Sequence, residues 1–548
     1  MMKKWIAVIV LGAAQFVMVL DSTVMNVSIS TVVKDLDTSV AAMQSAITFY
    51  TLTMAAAMLL GAKLGDVWGR RRAFVVGSIV YACGSLITGL SPNITTLFLG
   101  WSVIEGLGAV LVIPAIAALI ATNYTGRDRV TAFALIGAVS GAAVAAGPLI
   151  GGFVTTYFDW RYVFFAEVVI MVAVLFAARF VADPSRPQKT GIDLVSVALS
   201  AVGLVAVVYG LLQSKTWGWI LPLHPPVVNG VSIEPLGLSL VPYFVVGGAA
   251  LLWAFVSRQK HLVARGRVPL IHPALFSITP LRAGLSVLGA QYAITAAIFF
   301  VVPVYLQMTL GLDALETGLR IFPLSIALIL FSIVGTRLSD RWSPRLIARI
   351  AQVVLVVSGA VLLASLSLDL RNVLFAVGMF STGAALGLLA SQLGNVNMSS
   401  VGENETSEVG GLQGVFQNLG SSLGTALIGS VLIASLAGSF AAGVQSSDLP
   451  SAAKSAVSSA TSAGVEIVPV AGVDAIVTKA GLSEDDAATL TTIYADSQVS
   501  SLRVSFVVIV LLALVSLVLS RNLPSRPAGQ RDETAEVSVD PKPVSSSG

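Results

Sequence analysis

The stretch Gly61-Ala-Lys-Leu-Gly-Asp-Val-Trp-Gly-Arg-Arg-Arg72 recurs in the second half of the chain as Gly335-Thr-Arg-Leu-Ser-Asp-Arg-Trp-Ser-Pro-Arg-Leu346. A glycine, a basic residue, a leucine, an aspartate and a tryptophan fall at the same places in both copies, and each copy lies between two apolar runs. Arginine-rich inner loops resemble one another by composition, but five matches in twelve positions exceed that similarity. The repeat therefore predicts two duplicated halves related by an axis along the membrane normal.

The composition indicates an integral membrane protein. Of the 548 residues, 55% are apolar and only 11% are charged, and the mean hydropathy is +0.88. Soluble domains carry about 25% charged residues, so this chain has too few charges to cover itself in water. The apolar runs have the length of about 20 residues that a helix needs to cross the hydrocarbon, whereas the strands of a transmembrane β-barrel alternate over about 10 residues. The predicted fold class is all-α.

Fourteen apolar runs are predicted to cross the membrane. With this number, 24 of the 32 lysines and arginines lie on the cytoplasmic side together with both termini, as the positive-inside rule requires. Omitting any one span would place later basic loops on the wrong side. The predicted spans are 5–28, 41–62, 73–91, 94–122, 130–156, 160–181, 194–213, 240–257, 283–306, 317–336, 346–367, 371–395, 412–436 and 501–520.

The repeat and the spans together predict two six-helix halves plus two inserted helices. The first half is 1–182, the insert with its linkers is 183–282, and the second half is 283–522. The stretch Met1–Val27 is interpreted as the first helix, because it is long for a signal peptide and lacks a cleavage site. The single cysteine, Cys83, excludes an intrachain disulfide and a thiolate metal site.

Two polar segments are predicted to lie outside the bilayer. Segment 437–500 is placed on the extracytoplasmic side, where its apolar stretches Val465–Val470 and Ala487–Tyr494 predict a small hairpin or helix over the outer mouth. The tail 523–548 is poor in apolar residues and is expected to be a disordered cytoplasmic extension.

Three acidic residues, Asp21, Glu105 and Glu167, fall inside predicted spans. A charge in the hydrocarbon costs about 2.5–3.5 kcal/mol even on the lenient insertion scale, so each is a candidate for function. The helical rise places Asp21 and Glu167 about 10 Å, and Glu105 about 16 Å, below the outer surface. All three can therefore line one cavity. Two structural alternatives stay open: a hydrogen bond between helices for Asp21, and an ion pair with Arg161 for Glu167.

Methionine and tryptophan side chains lie on the same helix faces as these acids. Met18 and Met25 have helical spacing from Asp21, and Trp101 has it from Glu105. Methionine and aromatic walls accept varied apolar ligands, and an aromatic face accepts a cation. A carboxyl among them can bind either a proton or a cation. This competition for one site would couple the movement of the proton to that of the cation. Packing or lipid contact is the alternative for the methionines and the tryptophan.

The repeated stretch also carries residues suited to gating the inner side. Aspartate and arginine there can form charge-assisted bonds across helices and to helix ends, and breaking these bonds would help the inner side to open. A role in topology alone would explain the arginines but not the aspartate and the glycines. The candidate gating residues are Gly61, Lys63, Gly65, Asp66, Gly69, Arg70, Arg71, Arg337 and Asp340.

At these residues the chain resembles the major facilitator superfamily, whose inner-loop signature sets an aspartate ahead of a glycine and two basic residues. The fourteen spans and Leu20-Asp-Ser-Thr-Val-Met-Asn-Val27 are similar to the drug:proton antiporter branch with fourteen helices. Three further stretches are similar to that branch: Gly147-Pro-Leu-Ile-Gly-Gly152, Trp160-Arg161 and Gln417-Asn-Leu-Gly-Ser-Ser-Leu-Gly424. The resemblance implies the major facilitator fold, with an antiporter element formed by Gly147, Pro148, Gly151 and Gly152.

The fifth predicted helix, which carries this element, has small residues at four-residue spacing. Gly137, Gly141 and Ala145 precede the element in this pattern. Small residues at this spacing predict close packing on a neighbouring helix, and Pro148 removes a backbone hydrogen bond and permits a bend. A role of these residues in antiport rests on the resemblance.

The chain departs from the family at its buried charges. The fourth helix of the family usually carries an arginine and a glutamine, where this chain has Ser102 and Glu105. Glu167 likewise stands where asparagine is common. An intramembrane cation is thus replaced by extra acids, so the coupling scheme of the family does not transfer unchanged.

The resemblance implies a secondary active transporter, not an enzyme, that exports amphipathic or cationic drugs and toxic compounds by proton antiport and alternating access. Such a multidrug efflux protein would be a multi-pass protein of the inner (plasma) membrane, functional as a monomer. It would be driven by the proton gradient, without a cofactor, metal or nucleic acid. Two other interpretations stay open: export of one dedicated metabolite, antibiotic or lipid-like product, and a non-transporting sensor or scaffold that uses segment 437–500.

Overall fold

A computed structural model describes residues 2–124, 126–183, 191–228, 231–339, 341–401, 406–451, 454–455, 467–470, 473 and 484–525. The α-helices there are α1 (Met2–Val27), α2 (Ile29–Asp35), α3 (Val40–Trp68), α4 (Arg70–Gly89), α5 (Ile94–Leu97), α6 (Gly106–Asn123), α7 (Gly126–Tyr157), α8 (Arg161–Ala177), α9 (Leu194–Trp217), α10 (Leu240–Ala264), α11 (Thr279–Val304), α12 (Ala314–Leu338), α13 (Pro344–Ser365), α14 (Asn372–Ser399), α15 (Thr406–Ser446) and α16 (Glu484–Leu519).

Shorter elements join these helices. Two π-helical segments interrupt or extend helices, at Phe98–Glu105 between α5 and α6 and at Tyr305–Thr309 after α11. Two antiparallel strands of two residues each, β1 (Val227–Val228) and β2 (Val231–Ser232), lie in the loop between α9 and α10. Turns of 3₁₀ helix lie at Ala178–Phe180, Pro235–Gly237, Pro273–Ser277 and Ser520–Asn522.

Fourteen helical segments in the described part of the chain are long and apolar enough to cross a membrane. They follow the order of the predicted spans, with α5, its π segment and α6 counting as one span, Ile94–Asn123. The predicted fold class and the number of spans are therefore confirmed. The differences from the prediction lie at helix ends, where polarity alone does not show whether a helix continues beyond the hydrocarbon.

The first copy of the repeat is almost entirely helical, which corrects the predicted loop between the second and third spans. Helix α3 continues to Trp68 and α4 begins at Arg70, so Gly69 alone makes the turn. Its backbone has φ 95° and ψ 138°, a region that is essentially restricted to glycine. The amide N–H of Gly69 donates to the carbonyl of Gly65 at 3.1 Å, and the carbonyl of Gly69 accepts from the amide of Ala73 at 3.0 Å. One glycine therefore joins two transmembrane helices.

Replacing Gly69 by alanine is expected to lower the free energy of unfolding by about 1–3 kcal/mol, because the side chain would be strained at this φ. The measurement is the apparent melting temperature of the purified protein in detergent. Gly65→Ala is the matched control on the same turn, since an added methyl group there meets only the Ala73 Cβ at 3.9 Å. Equal melting temperatures for the two variants would contradict this account of the turn.

The two parts of the chain that carry the repeat pack their helices in the same way. A methyl group added at Gly61 on α3 would lie 2.2 Å from the carbonyl oxygen of Val110 on α6. One added at Gly335 on α12 would lie 2.1 Å from the hydroxyl of Ser391 on α14. The second helix thus approaches the fourth in each part. Both copies of the repeat have glycine at this position because a side chain would separate these helices.

The fifth helix of each part packs equally closely on the first. In the first part, a methyl group at Gly147 on α7 would lie 1.8 Å from Thr23 Oγ1 on α1. In the second, one at Gly420 on α15 would lie 2.2 Å from the carbonyl oxygen of Gly289 on α11. The quoted Gly147-Pro and Gln417-Asn stretches therefore lie at equivalent packing positions. The division of the chain at 182 and 282 stays a prediction.

Contacts across the two predicted halves run mainly along two helix pairs. Helix α3 packs on α15, and α7 packs on α12. In the first pair, the side-chain amide of Gln44 donates to the carbonyl of Thr425 at 3.1 Å. At the C-terminal end of α1, the side-chain amide of Gln307 donates to the carbonyl of Val27 at 2.7 Å and its oxygen accepts from the amide of Ser30 at 3.2 Å. The halves are therefore also in contact where α1 and α11 end.

The two additional helices pack beside this interface. Helix α9 lies against both α3 and α15, and α10 packs mainly on α9. At one end of the pair, the guanidinium of Arg258 forms two hydrogen bonds with the carboxylate of Asp193, at 2.6 and 2.7 Å. The guanidinium holds the pKa of the Asp193 carboxyl well below its usual range. This ion pair joins the start of α9 to the C-terminal part of α10.

The last two spans extend far beyond the predicted bounds. Helix α15 has 41 residues, which corresponds to about 62 Å of helix, against about 30 Å of hydrocarbon. The described ends of segment 437–500 are therefore continuations of α15 and α16, and Ala487–Tyr494 is part of α16 rather than a separate element. The amide of Val468 donates to the Tyr494 hydroxyl at 2.9 Å. The expected disordered tail beyond residue 525 lies outside the described residues.

Candidate functional site

The structure brings the three intramembrane acids together. Asp21 on α1, Glu105 at the end of the first π segment and Glu167 on α8 are 1%, 0% and 1% exposed. One carboxylate oxygen from each lies within 4.8 Å of the others. We call these three residues the acidic cluster. From their depths, we expected the three acids to line one cavity; in the structure they are close together but buried among helices.

Asp21 is held by an aromatic pair. The indole N–H of Trp101 donates to both carboxylate oxygens of Asp21, with Nε1 at 3.0 Å from Oδ1 and 2.9 Å from Oδ2. The ring of Tyr50 on α3 stacks on Trp101, with ring centroids 4.8 Å apart and planes 11° apart. Trp101, which was predicted to line the site as an aromatic surface, therefore contacts the acidic cluster as a hydrogen-bond donor. The hydrogen bond between helices that was an alternative for Asp21 is present.

Glu105 and Glu167 are joined by a serine. The Oγ of Ser85 on α4 lies 2.9 Å from Oε2 of Glu105 and 3.0 Å from Oε2 of Glu167. The other oxygen of each glutamate has no hydrogen-bond partner within the described chain, and neither does the buried hydroxyl of Tyr81. A methyl group at Gly84 would lie 2.5 Å from the amide nitrogen of Glu105, so glycine lets α4 approach the π segment closely.

Two features of this site were missed from the sequence. The π segment was not foreseen, because hydrophobic periodicity does not distinguish π from α winding; such segments are frequent at functional sites. The second is Ser85 and Tyr81, which occupy one face of α4 at four-residue spacing, together with Ser78. Polar side chains at this spacing in an otherwise apolar span were the signal that could have found them.

The other residues proposed around the acids have packing roles or different partners. Met18 and Met25 are 4% and 1% exposed and belong to the hydrophobic core. The alternative ion pair between Glu167 and Arg161 is wrong, because Arg161 pairs with Asp35 at 2.5 Å and with Asp159 at 3.4 Å. Ser102, at the position of the usual arginine, donates to the carbonyl of Ala46 at 2.8 Å.

Within the described part of the chain, the acidic cluster has no basic counter-charge in its immediate surroundings. Among the described residues, the ion pairs within 4.0 Å involve none of the three acids. Three buried carboxyls at this separation cannot all be ionised without a large cost. The arrangement can therefore hold protons, or one small cation between the carboxylates.

The glycines of Gly147-Pro-Leu-Ile-Gly-Gly152 form a junction of three helices beside the cluster. Gly147 and Gly151 face Thr23 and Val24 on α1, two and three residues from Asp21. Gly152 faces the other half, where an added methyl group would lie 2.6 Å from the carbonyl oxygen of Ala314 on α12. A methyl group at Gly318 on α12 would in turn lie 2.2 Å from the carbonyl oxygen of Pro148. The junction thus connects α1, which bears Asp21, to the interface between the halves.

The earlier part of the same helix does not pack closely. A methyl group added at Gly137 or Gly141 would meet no atom of a described residue within 4 Å. The expectation that these two glycines pack on a neighbour is therefore wrong, since small residues at four-residue spacing also occur on open helix faces.

The candidate gating residues lie around the junction of α3 and α4 and at the C-terminal end of α12. The guanidinium of Arg70 donates to the carbonyl of Ala118 on α6 at 3.2 Å, and the backbone N–H of Arg71 donates to the carboxylate of Asp183 at 2.8 Å. Asp66 is near the charges of Lys63, Arg70 and Glu408 but forms no ion pair within 4.0 Å with a described residue. Arg337 is exposed, and Asp340 lies outside the described residues. Their gating role stays a prediction.

Comparison with known proteins places this geometry in context. The chain is 30% identical over 438 residues to the puromycin resistance protein pur8 of Streptomyces alboniger, covering 78% of this chain and 82% of that protein. It is 26% identical to a probable actinorhodin transporter of Streptomyces coelicolor, covering 78% and 72% of the two chains. It is 25% identical to the multidrug transporter protein MdtP of Bacillus subtilis, covering 78% and 75%.

A solved structure shares the fold. It is the inward-facing, unoccupied structure of a bacterial homologue of the human lysosomal transporter Spinster, matched with a TM-score of 0.58 and 14% identity over 95% of this chain and 98% of that one. The sequence model of the Major Facilitator Superfamily matches residues 11–425. With fourteen membrane-spanning helices, a matching structure and these relatives, the chain belongs to the Major Facilitator Superfamily of membrane transporters.

Proposed function

We propose that this transporter exports amphipathic, often cationic, toxic compounds in exchange for protons. The observation that supports this most is the acidic cluster, in which three buried carboxyls from three helices meet without a described basic partner. Carboxyls in such a place can exchange a proton for a cationic substrate as access alternates between the two sides. The aromatic pair of Tyr50 and Trp101 beside Asp21 would add a face for a lipophilic cation.

The relatives support export in general. Their names describe puromycin resistance, actinorhodin transport and multidrug transport for those proteins. The proposal brings the same class of substrate to this chain. It also includes the inner (plasma) membrane as the location, both termini in the cytoplasm, and function as a monomer.

The test is the uptake of ethidium, a lipophilic cation, into inside-out vesicles with an acidic interior. Export from the cell corresponds to uptake in this orientation, and protons leave the vesicle in exchange. We expect uptake that ceases when an uncoupler removes the gradient. Vesicles that contain folded, inserted protein but show no gradient-dependent uptake of ethidium or other lipophilic cations would contradict the proposal.

A second candidate function is the export of one dedicated metabolite. It is favoured by relatives described as a probable actinorhodin transporter and a cephamycin export protein, the latter from Amycolatopsis lactamdurans. Assaying the same vesicles with a library of secondary metabolites separates the candidates. A single strongly transported compound, with no uptake of unrelated cations, would favour the dedicated exporter.

Trp101→Phe is expected to lower ethidium uptake about tenfold. The change removes the indole N–H that donates to Asp21 but keeps an aromatic ring stacked on Tyr50. Hydrogen bonds to charged groups contribute about 1.5–3 kcal/mol. The measurement is initial uptake across a range of ethidium concentrations. Trp160→Phe is the matched control, because the buried indole of Trp160 also donates to a carboxylate, that of Asp35, at 3.2 Å. Equal losses in both variants would indicate a general effect of losing an indole.

A further inference from the structure

Ser85 presents one hydroxyl to two carboxyl groups. Its Oγ lies 2.9 Å from Glu105 Oε2 and 3.0 Å from Glu167 Oε2, and all three side chains are buried. A serine hydroxyl has a single proton to donate and lone pairs with which to accept. A single proton can make a strong, linear hydrogen bond to only one of the two carboxyls. Two strong hydrogen bonds form at these distances when one glutamate is protonated and donates to Ser85, while Ser85 donates to the other.

We infer that Glu105 and Glu167 share one proton through Ser85, and that this pair is the proton carrier of the proposed exchange, with Asp21 left as the ionised group for the cationic substrate. This inference rests on the proposed function. The transfer step is balanced within the trio. The protonated glutamate passes its proton to Ser85 Oγ as Ser85 passes its own to the opposite carboxylate, so the hydroxyl is regenerated and one proton has moved between glutamates.

The surroundings of Asp21 differ from those of the two glutamates. Both of its oxygens accept from the single N–H of Trp101, which suits an ionised carboxylate because that group only accepts. Among the described residues, Asp21 also neighbours the Tyr50 hydroxyl and the Glu105 carboxyl, but no serine hydroxyl joins it to another acid. The Trp101 N–H beside Asp21 therefore suits a negatively charged carboxylate, whereas the Ser85 hydroxyl between the glutamates suits the transfer of a proton.

The remaining titratable groups around the cluster are two tyrosines. Tyr50 on α3 faces Asp21, and Tyr81 on α4 faces Glu105 and Glu167. The Tyr81 hydroxyl is fully buried and has no hydrogen-bond partner within the described chain. It lies near the Glu167 carboxyl, to which it can donate when the shared proton leaves.

The test compares the pH dependence of ethidium exchange in three serine variants. A bridging hydroxyl stabilises the singly protonated pair against both the doubly protonated and the fully ionised forms. Ser85→Ala should therefore narrow the pH range of exchange by about one to two pH units. Ser85→Thr, which keeps the hydroxyl, should retain the full range. Ser78→Ala is the matched control, since Ser78 is equally buried on the same helix but bonds to no carboxyl.

Infrared spectroscopy of the purified protein gives a second readout that does not depend on transport. The wild type should show the carbonyl band of a protonated carboxyl over the pH range of exchange. Glu105→Gln and Glu167→Gln should each lose that band, whereas Asp21→Asn should keep it. A pH range in Ser85→Ala as wide as that of Ser78→Ala, or a band that disappears only in Asp21→Asn, would overturn the inference. If wild-type vesicles showed no exchange, the proposed function would fail, but the band would still test the shared proton.

Discussion

Replacing Asp21 by asparagine is expected to reduce gradient-driven ethidium uptake by about 10- to 100-fold, the loss that corresponds to one interaction of a charged group. The amide has nearly the shape of the carboxyl and can still accept from the Trp101 indole through its oxygen. It carries no negative charge, however, and cannot pair with a cationic substrate. The loss should therefore appear in transport, with the melting temperature of the protein little changed.

The control for this variant is Asp37→Asn. Asp37 is exposed and has φ 46°, which asparagine also tolerates. The same chemical change there should leave uptake unaltered. If uptake in Asp21→Asn stayed within about twofold of the wild type, Asp21 would have no part in the exchange. Losing even a weak interaction of a charged group should lower uptake by more than about twofold.

Replacing Gly152 by alanine is expected to reduce uptake about 5- to 100-fold, because overpacking a close contact costs about 1–3 kcal/mol. The added methyl group would lie 2.6 Å from the Ala314 carbonyl oxygen, a backbone atom that cannot rotate away. Helices α7 and α12 would separate near their outer ends. The contact that closes the two halves on that side would be weakened, while the acidic cluster would stay intact.

Gly137→Ala is the matched control on the same helix, because its methyl group would meet no atom of a described residue within 4 Å. It should transport as the wild type does. The site of the defect can be located with a cysteine at Ser28, which is 1% exposed near the outer end, in a background where Cys83 is serine. Faster labelling of this cysteine from outside in Gly152→Ala would show outer opening; no change in labelling or uptake would contradict the role of the junction.

The membrane fold was predictable because its signals are strong and redundant. Apolar runs of sufficient length, the distribution of lysine and arginine, and the repeat at Gly61 and Gly335 all indicated the same fourteen spans. The ends of the helices were less predictable. Polar residues around Gly69 and beyond residue 436 are compatible with either a loop or a helix in water, and only packing decides between them.

The acidic cluster was predictable in its members but not in its connections. Asp21, Glu105 and Glu167 are conspicuous, because an acid in an apolar span is costly. Ser85 and Tyr81 are not, since serine and tyrosine are common in such spans as packing residues. Their contacts depend on the close approach of α4 to the π segment, which Gly84 permits. Those contacts arise from the tertiary fold, and no local pattern encodes them.

The lack of a described basic partner for the acidic cluster has an electrical consequence. The net charge of that part of the membrane changes with every proton or cation it binds, and moving one elementary charge across the membrane is worth about 2.3 kcal/mol per 100 mV. One proton exchanged for one monovalent cation leaves the cycle electroneutral. Two protons for one cation would carry a positive charge inward in each cycle. In that case the voltage of the cell would drive export even in an alkaline medium, where the pH gradient has vanished.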